Sequence, residues 1–175
     1  RILCYDIRDL GKQLLPVGML VVLDSIFNRI IRNRQQGRNT WIYIDEIYLL
    51  FQHEYSANFL FTLWKRVRKY RACCTGITQN EDDLLQSHTA RTMLANSEFL
   101  VMLNQAATDR TELARLLNIS DNQLSYITNV DSGRGLIKCG SAIVPFMDNF
   151  PKNRLYKLMT TKPSDTDGTL SLIHI

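Results

Sequence analysis

Two adjacent carboxylates, Asp45 and Glu46, close the run Trp41-Ile42-Tyr43-Ile44, so an apolar strand delivers paired acids to its carboxyl end. Such a pair can do phosphate chemistry: the first acid holds the water shell of a magnesium ion, and the second orients a water for attack on a γ-phosphate. The bland alternative is a core strand that reaches the surface at an acidic turn. Further along, Thr78-Gln79-Asn80 ends a second small apolar run. A neutral amide at Gln79 could hydrogen-bond both the attacking water and a phosphate oxygen, or it could simply cap the turn at Asn80-Glu81. Between the two runs, Trp64 to Arg71 holds five basic residues in eight. Within it, Arg66 and Arg68 could present a cation to the γ-phosphate of a neighbouring subunit in a ring. A solvated basic face is the other reading of that run.

The phosphate cradle GxxxxGK[ST] that would complete this chemistry is not found. Gly11-Lys12 comes nearest and fails twice, because Asp6 stands where the first glycine is needed and Gln13 follows the lysine. The chain begins at Arg1 with no initiator methionine and apparently inside a strand, so it reads as a fragment whose phosphate loop is expected upstream.

These residues need elements to position them. Ile2 to Asp6 is a short strand candidate, and Val17 to Arg32 has apolar residues at helical spacing, closed by a polar loop with Gly37. Trp41 to Asp45 is a strand, Asn58 to Tyr70 a helix with Phe59, Leu63 and Val67 on one face, and Ala72 to Thr78 another strand. A strand, helix and strand in that order make a right-handed crossover, which puts Gln79 beside Asp45-Glu46. Helical turns follow between Glu81 and Asn96, then a strand from Phe99 to Leu103 and helices at Asp109 to Leu117 and from Ser120, where Gln123 completes a capping box. Leu136 to Lys138 and Ala142 to Phe146 form a pair of strands joined through Gly140-Ser141. The fold class is α/β with a mainly parallel sheet. Strand ends at Asp6, Asp45-Glu46, Gln79-Asn80 and Asn104-Gln105 predict a polar cleft at the carboxyl edge of that sheet.

At 175 residues and 45% hydrophobic the chain can bury one full core, and a net charge of +4 permits an anionic partner without requiring one. Its longest apolar stretches fall far short of the roughly 20 residues of a membrane helix, and no secretory signal opens it. Cys4, Cys73, Cys74 and Cys139 lack metal-ligand spacing and read as buried thiols of a cytosolic protein. Residues 164–175 read as a flexible tail. Its last six, Leu170-Ser171-Leu172-Ile173-His174-Ile175, are similar to a translated sequencing-adapter end, and are expected to be a non-native artefact.

With Thr40 to Glu46, Arg68-Lys69-Tyr70, Thr78-Gln79-Asn80, Leu94-Ala95-Asn96-Ser97, Leu103-Asn104-Gln105 and Val144-Pro145-Phe146 in this order, the chain resembles the ATPase domain of the type IV secretion and conjugation ATPases, the CagE/TrbE/VirB family. The likeness runs from Arg1 to Pro163, the C-terminal portion of that domain. It implies a RecA-like P-loop NTPase core, ATP and Mg2+ as cofactors, and self-assembly, expected as a hexamer. It also implies partners in a bacterial secretion channel, at the cytoplasmic face of the cell membrane, with DNA or relaxosome contact open. On matching positions Asp45 would be the magnesium carboxylate acting through water, Glu46 the catalytic base, Gln79 the sensor, and Arg68, or Arg66, the arginine acting in trans. Arg110 and Arg134 would be further phosphate or interface contacts.

Two rivals remain. A DNA-translocating coupling protein or HerA/FtsK-like motor shares the strand-end carboxylates and the glutamine. A DNA-binding regulator is suggested by Glu112 to Ser125, whose pattern resembles a helix-turn-helix, although Asp121 to Ile127 offers no basic residue for phosphates or bases.

Overall fold

The computed structural model describes residues 2–7, 9–11, 13–79, 81–104 and 110–160. The expected tail at 164–175, with Asn80 and Gln105, lies outside them. The described chain forms two compact units, one of residues 1–97 with 111–118 and the other of residues 98–110 with 119–175.

The first unit opens with α1 (Leu15–Gln35), whose first turn carries Pro16, a residue pre-set for that position, and whose last turn carries Arg32 and Arg34, favourable beside the exposed carbonyls. Strand β1 (Thr40–Ile44) follows, then a 3-10 turn (Ile47–Phe51) and helix α2 (Glu54–Arg66). The last turn of the helix expected to Tyr70 is instead a separate 3-10 turn, Val67–Tyr70, closed by Arg71 in the left-handed conformation. This tightens the entry into β2 (Ala72–Gly76), which pairs with β1 in parallel from Thr40–Ala72 to Ile44–Gly76. Helices α3 (Glu81–Gln86) and α4 (His88–Ala95) complete the run. Two apolar clusters hold it together. One joins Met19, Ile47, Leu50, Leu60, Leu84, Ala90 and Met93; the other sets Ile30 of α1 and Leu63 of α2 against Ile42 of β1. Ile30 and Leu60 are wholly buried, and truncating such a side chain to alanine typically costs about 2–5 kcal/mol.

Alternation along β1 decides which face meets the helices. Ile42 is buried while Trp41 and Tyr43 are exposed. Ile2 to Asp6, expected as a strand, takes no regular structure: it has no described strand to pair with, and residues 2–6 are exposed. Asp6 nevertheless has an interaction partner.

The second unit holds β3 (Phe99–Met102), α6 (Asp121–Leu124) with a 3-10 turn (Ser125–Ile127), β4 (Arg134–Cys139), β5 (Ala142–Met147) and α7 (Arg154–Met159). The order is β3-β4-β5 and both pairings are antiparallel. The mainly parallel sheet is therefore corrected among the described residues: parallel pairing is confined to β1 and β2, because the tight turn through Gly140-Ser141 forces β5 back along β4 and β4 returns along β3. Gly135 sits where a Cβ would meet the Met102 carbonyl oxygen, so only glycine lets β4 come this close to β3. Ile127 and Leu136 are wholly buried in this unit. Helix α5 (Arg110–Leu117) belongs, from Thr111 on, with the first unit, whereas α6 lies in the second. Among the described residues no helix is long and apolar enough to cross a membrane.

Candidate functional site

The parallel register brings the carboxyl ends of β1 and β2 together. Beyond the last paired residues, Ile77 N donates to Ile44 O at 2.8 Å and Ile47 N donates to Ile77 O at 2.9 Å, which ties the chain on either side of Asp45-Glu46 to the β2 exit. Gly76 makes this possible, since a Cβ there would fall 2.6 Å from Ile47 Cδ1. Gln79 follows three residues on, exposed and without a hydrogen bond among the described residues. The backbone thus brings the segments that carry Asp45-Glu46 and Gln79 out at the same edge.

Glu46 carries the two departures from ordinary structure at this edge. Its backbone lies in the left-handed region at φ 48°, ψ 47°, where a side chain is strained by about 1 kcal/mol or more. Its Oε2 is buried with no hydrogen-bond partner among the described residues. Buried polar atoms are nearly always paired, so an orphaned carboxylate oxygen on a strained residue makes Glu46 the candidate for chemistry at this edge. Exposed Asp45 accepts a hydrogen bond from Glu46 N through Oδ1 at 3.1 Å, which fixes its rotamer beside the strained residue. A fixed, exposed acid next to an unsatisfied acid fits the donor set for a hydrated Mg2+ and an attacking water. Among the described residues at this edge none forms a phosphate cradle.

Arg66 and Arg68 go elsewhere. Both are exposed, and both precede β2, whereas the carboxylates follow β1. In a parallel pair those are opposite ends, separated by the five-residue ladder, about 13 Å at ~3.3 Å per residue. Neither arginine shares the site with the carboxylates of its own chain. Around them the basic end is ordered by aromatic packing: Tyr70 meets Phe27 edge-on at 5.5 Å, Arg34 lies 5.5 Å over the Tyr70 ring, and Lys65 lies 3.8 Å over Phe61.

The other expected positions are accounted for separately. Asn104 Oδ1 accepts from Val130 N at 3.2 Å within the second unit, which makes it a loop anchor there. Arg134 pairs with Asp131 at 3.6 Å, both exposed, and the Arg110 side chain lies outside the described residues. Asn96 and Ser97, prominent in the family likeness, close α4: Asn96 Nδ2 donates to Thr92 O, and Ser97 Oγ donates to Met93 O while accepting from Trp64 Nε1 at 3.1 Å. Gln123 is consumed by its capping box with Ser120 and donates through Nε2 to Ile143 O, which leaves it no free edge for a base.

The thiols correct the reading of buried cysteines. Cys4, in the irregular opening segment, Cys139, at the end of β4, and Cys73, on the face of β2 that no described helix covers, are exposed; Cys74 alone packs among apolar neighbours. Burial there, helped by the charge of Cys73, pushes its thiol up to about 12. The left-handed Glu46 had no signal in sequence, since an Asp-Glu pair after a strand does not announce its dihedral angles. A depression of about 380 Å3 lined by Tyr48, Phe51, Gln52, Gln86 and Ser87 was equally unmarked.

Residues 3–137 match the family model described as the TraG P-loop domain. Among solved structures the chain is similar to VirB4 of Thermoanaerobacter pseudethanolicus, with 25% sequence identity and a TM-score of 0.70 over 83% of this chain and 40% of that one. The chain thus spans less than half the length of that relative. No curated protein matches it. Together the likenesses give the mixed α/β architecture as a P-loop ATPase-like fold.

Proposed function

The chain belongs to the TraG P-loop domain family, in keeping with the expected type IV secretion and conjugation ATPases, and on that premise we propose that it is the catalytic portion of an ATP-hydrolysing motor subunit. The observation that carries this reading is Glu46, strained and with an orphaned buried oxygen at the shared edge of β1 and β2. Asp45 holds the water shell of Mg2+, Glu46 takes the proton from the attacking water, and Gln79 contacts that water and reports the state of the phosphate. Mg2+ supplies charge neutralisation at the phosphates.

Arg68, with Arg66 beside it, serves a neighbouring subunit, since both stand a ladder's length from the carboxylates of their own chain. That role requires self-assembly, in which a hexamer is the proposed form. In this reading residues 1–163 make up the C-terminal portion of a RecA-like domain, and the phosphate loop is contributed from outside them. The motor is proposed to energise a bacterial secretion or conjugation channel from the cytoplasmic face of the membrane.

The test is Mg2+-dependent ATP hydrolysis by the gene product that carries this segment together with its phosphate loop, compared with Glu46→Gln. The variant keeps shape and loses the base, so turnover should fall by about 10²-fold or more while ATP still binds. Unchanged turnover would remove Glu46 from the chemistry.

A further inference from the structure

At its carboxyl end the β1–β2 ladder carries one residue more on the first strand than on the second. The register pairs Ile44 with Gly76, so Asp45 and Ile77 are the next partners. In an unbroken parallel ladder Ile77 N would donate to Ile44 O, and Glu46 N would donate to Ile77 O. The first bond is present at 2.8 Å, but the second comes from Ile47 N, at 2.9 Å. Asp45 and Glu46 therefore stand together opposite Ile77. That is a β-bulge, rare in a parallel pair and a device that re-aims side chains. The amide it displaces from the ladder, Glu46 N, donates to Asp45 Oδ1 instead.

The bulge changes which residue enters the core. Ile42 and Ile44 pack toward the helices, and with a period of two Glu46 would follow them while Ile47 turned outward. The extra residue gives that place to Ile47, which is buried in the cluster with Met19, Leu50 and Leu60. Glu46 takes up the added length in the left-handed region. Ile47 then lies against Gly76, where a Cβ would fall 2.6 Å from its Cδ1 and 3.3 Å from its Cγ2. Gly76 is not among the glycines with positive φ, so space and not backbone conformation demands a glycine there.

We propose that Gly76 and Ile47 are positioning residues for Glu46: their contact locks the bulge and so sets where the Glu46 carboxylate stands. The inference rests on the reading of Glu46 as the base. Ile47 is only 5% exposed within its cluster, so its side chain has little room to swing aside from a methyl at position 76. The backbone gives way instead, and Glu46 is the residue next to it. A shift of about 1 Å at a reacting group can cost about 10²-fold in rate.

The experiment uses the gene product that carries this segment together with its phosphate loop, and reads ATP hydrolysis and, on the nucleotide-free protein, amide hydrogen exchange. Gly76→Ala should lower kcat about tenfold or more, with KM for ATP changed less than about twofold. Adding Ile47→Val removes Cδ1 and restores the volume, so kcat should return to within about threefold of the unaltered protein. Exchange reads the bulge itself. The Ile47 and Ile77 amides should be protected, and that of Glu46, bonded only to an exposed side chain, should exchange faster. Where Gly76→Ala loses its cooperative thermal transition, Ile47→Val alone replaces it: kcat should fall about threefold and recover when Gly76→Ala is added. Normal kcat in Gly76→Ala beside a collapsed Glu46→Gln, a loss that Ile47→Val leaves unrestored, or protection of the Glu46 amide in place of that of Ile47 would each overturn the proposal and leave Glu46 as the base. Full turnover in Glu46→Gln would remove the base and the positioning role together.

Discussion

The two ends of the β1–β2 ladder are about 13 Å apart and opposite in chemistry. At the carboxyl end stand Asp45, Glu46 and Gln79, with a strained backbone and an unsatisfied buried oxygen. The amino end carries arginines and lysines with no carboxylate partner among the described residues, packed about Phe27 and Tyr70. The same parallel pairing produces both, since it aligns like ends of successive segments: residues that follow strands collect at one edge and residues that precede them at the other. One edge is thereby suited to metal and water, and the other to anions brought from outside the chain. Such a separation makes sense if the basic end works on something other than this chain's own site, as the proposed action on a neighbour's phosphate requires.

Breaking the basic end should have the largest effect on turnover. An arginine supplied across a subunit interface is worth about 10³-fold or more, so Arg68→Ala should reduce hydrolysis in the assembled protein at least as severely as Glu46→Gln. Tight ATP binding to the isolated subunit should persist. Equal turnover in the variant would return Arg68 to the solvated face.

The carboxyl end can be sharpened through its strain. Glu46→Gly removes both the left-handed side chain and the orphaned oxygen, so thermal or urea unfolding should show a gain of about 1 kcal/mol even as hydrolysis disappears. A loss of stability would mean that Glu46 is held by contacts rather than against them.

The smallest effect lies on the ladder between the two ends. Cys73 faces out and Cys74 faces the helices, so a thiol reagent at neutral pH should label Cys73, Cys4 and Cys139 readily and leave Cys74 until the chain unfolds. With the Cys74 pKa raised from 9.0 to about 12, both folded and unfolded thiols stay protonated below pH 9. Above that value only the unfolded chain ionises, so the contribution of this group to stability falls as pH rises between 9 and about 12. Rapid labelling of Cys74 in the folded protein would contradict the packing of β2 against Ile30 and Leu63.

Much of the carboxyl end was legible in sequence, because Ile42 and Ile44 alternate with Trp41 and Tyr43 and the acids follow at once. The crossover argument also put the exit of β2 beside them, as the Ile44–Ile77 hydrogen bond shows for the backbone two residues before Gln79. Backbone dihedrals were not legible, and so Glu46 was singled out by its type and not by its strain. Strand direction after Ser97 was misread for a related reason: Phe99 to Met102 is apolar enough for a buried parallel strand, but its neighbour is set by the turn at Gly140 and by the missing side chain of Gly135, which are distant in sequence. The thiols went wrong because cysteine is usually interior, and composition does not tell that Cys4 lies in an irregular segment, that Cys139 ends β4 or that the Cys73 face of β2 lacks a described cover. Nor could periodicity show that two basic runs thirty-odd residues apart would meet, which depends on the pairing of Thr40 with Ala72.

Subunit mixing tests the central claim most directly, because it asks whether the two ends act on one site from different chains. Glu46→Gln and Arg68→Ala proteins, each nearly inactive, are combined and assayed for Mg2+-dependent ATP hydrolysis. The account predicts recovery to well above either parent, since an interface that pairs the intact Glu46 of one subunit with the intact Arg68 of the next is restored. No recovery in a mixture shown to co-assemble would contradict it and place both residues in the service of a single chain.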